Sequence, residues 1–277
     1  MAAIKETIFT KSGLILSRLI GRKSIRKGEK RATRSNPTVE EVEKVNKRNS
    51  ERTLQIKLHN NFEPGDHHDV LTHRGPAPTV EEAQERLIEF RENLRKEYKK
   101  IGLPFKWIMV TEYKNKRVHH HMVINKGVAI EKIRELWIHG QIHDRRLSES
   151  GDWRKLGSYL IKETDKTFRD PDAPSKLRYS CSRNLIMPEV YREEINNSEL
   201  LDDPTPIKGY YIDTDSIYKG INPVTERPYV EYAMLPIDSH KIRKRFNGKK
   251  KSKYKHESLD KWIRENSPRQ LEIDIPF

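Results

Sequence analysis

The sequence predicts an α+β fold, an antiparallel sheet packed by helices with solvated basic segments around it. Three observations carry this. Only 34% of the 277 residues are hydrophobic, against 35% that are Asp, Glu, Lys or Arg. A core of roughly 120–150 residues can form only if much of the remainder is appendage. Short alternating runs and amphipathic runs follow one another through the middle of the chain. The charge surplus is uneven: residues 1–50 hold 13 basic and 5 acidic residues, whereas 191–277 hold 16 and 15.

Residues 1–50 are expected to be a basic N-terminal arm, because 21–36 has almost no apolar content and cannot offset the entropy of ordering. Ile15, Leu16, Leu19 and Ile20, interrupted by Arg18, are too few to span a bilayer. Leu54, Ile56 and Leu58 alternate with polar residues, and Val70-Leu71-Thr72 follow a Pro-Gly-Asp turn, so both read as short strands. After Pro78, Thr79 caps a helix with Glu82 three residues on. Val80, Ala83, Leu87, Phe90, Leu94, Tyr98 and Ile101 form its stripe, and Gly102 and Pro104 end it. Residues 105–113 and 118–125 read as a hairpin turning at 114–116. A helix over 129–139, a strand over 141–143 and a helix over 152–164 follow. The order βαββαβ is that of a ferredoxin-like antiparallel sheet with helices on one face. The catalytic domain is expected over 51–190. A C-terminal extension over 191–240 is expected to add strands at 210–212 and 229–232 to its edge, and 241–277 to be a basic run and tail.

A formal net charge of +14 points to a polyanionic partner, nucleic acid first. A single cysteine, Cys181, excludes an internal disulfide, and the absence of a secretory signal makes the cytosol the expected compartment. No membrane partner is expected.

Two constellations can carry chemistry. In Val118-His119-His120-His121-Met122, strand parity sets His120 with the apolar residues and leaves His119 and His121 together on the other, open face. Glu112, across the 114–116 turn, can reach that face. Two imidazoles and a carboxylate leave coordination positions open and suit Mg²⁺ or Mn²⁺ more than a closed structural site. Spacing alone also admits a His-rich surface strand. On the last helix, Tyr159 and Lys162 are three apart and can reach one phosphate. A phenol needs a nearby cation and a metal to act as a nucleophile. A tyrosine merely packed at a domain edge has the same spacing.

Together these motifs resemble the HUH endonucleases, in particular rolling-circle replication initiators of phages, plasmids and single-stranded DNA viruses. Val110-Thr111-Glu112, Arg117 to His121, Leu136-Trp137, Tyr159 to Glu163, and Arg178 to Leu185 with Pro188 carry the resemblance. It implies that His119, His121 and Glu112 bind the metal and that Tyr159, helped by Lys162, attacks single-stranded origin DNA. The products would be a 5′-phosphotyrosyl link and a priming 3′-hydroxyl. Position 163 is Glu, so a second tyrosine four residues on is lacking. Arg178 and Arg183 are expected at phosphates. So are Lys241, Arg243, Lys244, Arg245, Lys249, Lys250 and Lys251, from a run of nine basic residues with no acid over 241–255. A non-catalytic binder with an RRM-like sheet would place stacking aromatics on the open face instead. A transposase or relaxase would share the chemistry. Finally, Asp274, Ile275, Pro276 and Phe277 resemble the tail of bacterial single-stranded-DNA-binding proteins, which implies docking of a host helicase. Alternation of Leu271, Ile273 and Ile275 equally allows an edge strand.

Overall fold

The structure, a computed structural model, describes residues 2–21, 36–113, 117–168 and 177–237. Lys241, Arg243, Lys244, Arg245, Lys249, Lys250, Lys251 and Asp274 to Phe277, and most of 21–36, lie outside the described residues. Along the chain run β1 (Ala2–Phe9), β2 (Ile15–Ile20), α1 (Val39–Asn61), β3 (His67–Thr72), α2 (Val80–Lys100), β4 (Trp107–Glu112), β5 (His119–Ile124), α3 (Ile130–Leu136) and β6 (Ile142–His143). They are followed by α4 (Arg154–Phe168), β7 (Ser180–Cys181), β8 (Val190–Asn196), β9 (Tyr210–Ile212), β10 (Tyr218–Asn222) and β11 (Arg227–Pro236). The fold is mixed α+β with antiparallel sheets. Among the described residues no helix is long and apolar enough to cross a membrane. The chain divides into two compact units, Lys47–Met187, and Met1–Asn46 together with Pro188–Phe277.

The Lys47–Met187 unit is built on a five-stranded sheet ordered β6-β3-β5-β4-β7. Thr79 and Glu82 form the reciprocal capping box that starts α2. From α2, Leu87, Phe90, Leu94 and Tyr98 pack with Ile133 of α3 and Trp137 on Leu71, Met109, Met122 and Ile124. Each such side chain contributes about 1.5–3 kcal/mol by burial. The opposite face is covered as well: Ile108, Val110 and Val123 meet Leu54 and Leu58 of α1 and Leu160 and Ile161 of α4. Helices therefore lie on both faces, not one. The expected strand at 54–58 is part of α1. Leu54, Leu58 and Phe62 recur every four residues, a helical stripe that also satisfies period two over five residues. The start signal was present: Thr38 and Glu41 hydrogen-bond each other's backbone N–H, at 3.2 and 2.8 Å.

The other unit corrects the expectation of an arm over 1–50. β1 and β2 form a hairpin whose turn uses Gly13 at φ +85°, a left-handed conformation suited to glycine. They sit inside a sheet ordered β10-β11-β2-β1-β8, with β9 also on β11. Ala3, Ile15, Leu19, Val230, Tyr232 and Met234 form its core. The charges that suggest an arm are neutralised across strands: Glu6 pairs with Arg192 at 2.9 Å, and Arg18 with Glu231. Residues 210–212 and 229–232 are strands as expected, but they join this sheet rather than the edge of the other one.

Candidate active site

Register builds the site. Glu112 of β4 lies opposite His119 of β5, and Val110 opposite His121, so the carboxylate and both imidazoles share the α1 and α4 face. His120 points the other way, opposite Leu71 and Thr111. Parity thus sorts the three histidines as the sequence suggests, but the His119 and His121 face is not open. His121 is buried and only His119 is partly exposed.

Glu112 Oε2 lies 3.0 Å from His119 Nε2 and 3.9 Å from His121 Nε2, and one donor atom of each residue lies within 4.8 Å of the others. His119 Nδ1 is 3.0 Å from the Arg117 carbonyl, which can only accept, so this nitrogen carries a proton. Its Nε2 lone pair then faces a carboxylate, an arrangement that calls for a cation or a second proton between them. A backbone carbonyl on the far nitrogen is also the usual orienting partner of a metal-ligating histidine. Neither His121 ring nitrogen has a hydrogen-bond partner among the described residues. Burial, with His68 and His119 nearby, pushes His121 down to about 3, so it is a neutral donor at ordinary pH. Two neutral imidazoles and a buried carboxylate fit a divalent cation.

α4 brings Tyr159 to this centre. At its start, the Trp153 N–H donates to His59 Nε2 at 2.9 Å, and the Asp152 carboxylate accepts from the Arg154 backbone and guanidinium. Gly157 allows close approach to α1, where a Cβ would come within 2.9 Å of Gln55 Cγ. Trp153, Leu160 and Ile161 are buried inward, with Leu156 packed against them. The Tyr159 ring, 40% exposed, meets His121 edge-on with centroids 5.4 Å apart. Lys162 is exposed one turn on, and Glu163 is half-buried. The sheet and α4 thus bring together Glu112, His119, His121 and Tyr159.

Arg178 does not stand on the surface: its guanidinium is buried and donates to Asp165 of α4 at 2.6 Å. Arg183 is exposed. Sequence reasoning missed His68, whose ring stacks on His121 at 5.7 Å and is held at about 4 by burial and by Arg145. Extending the strand at 70–72 back by one parity step would have placed it beside His121.

No curated protein and no solved structure matches the chain. The family model that matches is that of the replication-associated protein ORF2, and the segment it covers begins within β3 and ends at the last residue of α4, so it includes Glu112, His119, His121 and Tyr159. Residues 70–168 thereby identify the protein as one of the replication-associated ORF2 family of rolling-circle replication initiators, as the histidine and tyrosine motifs suggest.

Proposed function

We propose that this replication initiator nicks and rejoins single-stranded origin DNA, with Tyr159 as the nucleophile. The observation that carries the reading is the edge-on contact between Tyr159 and His121, which sets a phenol at the rim of a three-donor centre. Tyr159 Oη attacks the phosphorus, the Oη–P bond forms as the P–O3′ bond breaks, and the phenol proton ends on O3′. The products are a 5′-phosphotyrosyl link and a 3′-hydroxyl that primes synthesis. The phosphodiester energy stays in the link, so attack by a 3′-hydroxyl rejoins the strand without a nucleotide cofactor. A Mg²⁺ or Mn²⁺ ion held by Glu112, His119 and His121 would polarise the scissile phosphate and offset its charge. Lys162 is close enough along α4 to favour phenolate and to meet the same phosphate.

The strand order β6-β3-β5-β4, with α2 and α3 as the connections, supports a ferredoxin-like core around this site. With helices over both faces, no bare sheet is offered for base stacking, which favours the nuclease over an RRM-like binder. The test uses 3′-labelled single-stranded oligonucleotides tiled across the DNA around the gene, incubated with the full chain and Mn²⁺. A labelled protein band on a denaturing gel is expected from the native chain and not from Tyr159→Phe, which should bind DNA equally well. An adduct formed by Tyr159→Phe would remove Tyr159 from the mechanism and make Tyr179 the next nucleophile to test.

A further inference from the structure

Opposite the Tyr159 face, β3 turns a second set of donors into the sheet's other core. His67 and Asp69 alternate with Leu71, so they point to the side of Met122 and Ile124. Asp144 follows directly on β6, the strand that pairs β3 on its other edge. His67 Nδ1 lies 3.0 Å from Asp144 Oδ1 and 3.7 Å from Asp69 Oδ1, and one donor atom of each residue falls within 4.8 Å of the others.

Asp69 is the telling member. It is 1% exposed, and both carboxylate oxygens are buried with no hydrogen-bond partner among the described residues. A carboxylate so placed is costly unless a proton or a cation neutralises it. Arg146 does not do so: it donates to His67 Nε2 at 2.7 Å and lies 3.5 Å from Asp144 Oδ2. Among the described residues, the ion pair of Asp69 is with the His67 ring alone.

We propose that His67, Asp69 and Asp144 hold a second divalent cation, Mn²⁺ or Zn²⁺. Two carboxylates and a neutral imidazole balance a charge of +2, and mixed nitrogen and oxygen donors suit these ions. Loading has definite proton traffic. Burial pushes the Asp69 carboxyl up, so it releases a proton as the cation enters. The His67 proton moves from Nδ1 to Nε2, which obliges Arg146 to leave the ring. Its side chain is 43% exposed and already donates to the Gly65 carbonyl at 3.1 Å, so it has somewhere to go. The ion would tie the chain at Asp144 to β3, whose next residue, His68, stacks on His121 from the opposite face. Its role is to fix the strand behind the nucleophile's centre.

The test counts bound metal on the full chain by equilibrium dialysis against Mn²⁺ alone, and separately Zn²⁺ alone, in a His119→Ala/His121→Ala background. That background makes the result independent of the first centre. One equivalent is expected there, with a higher melting temperature in the presence of the ion. Asp69→Asn should lose both the equivalent and the shift. Asp144→Asn, at a less buried ligand, should do the same and serves if Asp69→Asn fails to fold. If Asp69 and Asp144 instead share a proton, the double-alanine background binds no ion, and the proposal is overturned. It is equally overturned by an equivalent that survives both aspartate substitutions.

Discussion

Acidification should unfold the metal-free Lys47–Met187 unit well above the pH at which carboxylates titrate. Burial holds His68 at about 4 and both His120 and His121 at about 3, with Arg145, His73 and His68 as respective neighbours that add to the effect. In the unfolded chain each titrates near 6.5. Because the folded values are depressed, unfolding takes up protons below 6.5. Stability is therefore full above that pH and falls as the pH drops toward 4 and 3. Each ring costs about 1.4 kcal/mol per pH unit in this window, or roughly 2 kcal/mol at pH 5. Three together cost roughly 6 kcal/mol, which is within the whole stability of a typical domain, about 5–15 kcal/mol. Urea unfolding in EDTA at pH 7 and pH 5 measures this through tryptophan fluorescence, since Trp107, Trp137 and Trp153 all lie in the unit. A control sharpens it. His68 Nε2 is buried with no hydrogen-bond partner, so His68→Leu breaks no bond there and should shrink the acid-induced loss by about a third. Equal unfolding free energies at the two pH values would refute the assignment of these rings as buried and neutral.

His119→Ala and His121→Ala should each abolish Mn²⁺ binding to the first centre and DNA cleavage, and Glu112→Ala should weaken binding; calorimetric titration checks all three, and undiminished affinity would detach these residues from the metal. His120→Leu, harmless by strand parity alone, should cost about 1–3 kcal/mol because it leaves buried partners unpaired. Those partners are Thr111 Oγ1 at 2.9 Å and His73 Nε2 at 3.3 Å, and adduct formation should persist if urea unfolding shows the loss. Deleting residues 241–255 should lower affinity for single-stranded DNA and reduce its salt slope by roughly 0.7 for each phosphate no longer neutralised; an unchanged slope would assign the run another role.

What the sequence determined by itself is local. The capping box and apolar stripe of α2 need only neighbouring residues, so they are legible in one segment. Period-two geometry separates His120 from His119 and His121 wherever β5 lies, and the three-residue spacing of Tyr159 and Lys162 survives any packing of α4. The tertiary structure decided what covers each face and which distant segments pair. Leu54 to Leu58 satisfies both periods locally, and only burial against Ile108 and Val110 reveals a helix over the histidine face. The charge near the start of the chain suggested a solvated arm, yet Glu6 and Arg18 find opposite charges on β8 and β11, more than 180 residues away. Arg178 reads as a phosphate ligand until Asp165 is beside it. His67, Asp69 and Asp144 are separated by 75 residues at their widest gap, and only the pairing of β3 with β6 makes them a cluster, because a site made of non-local contacts leaves no spacing to read.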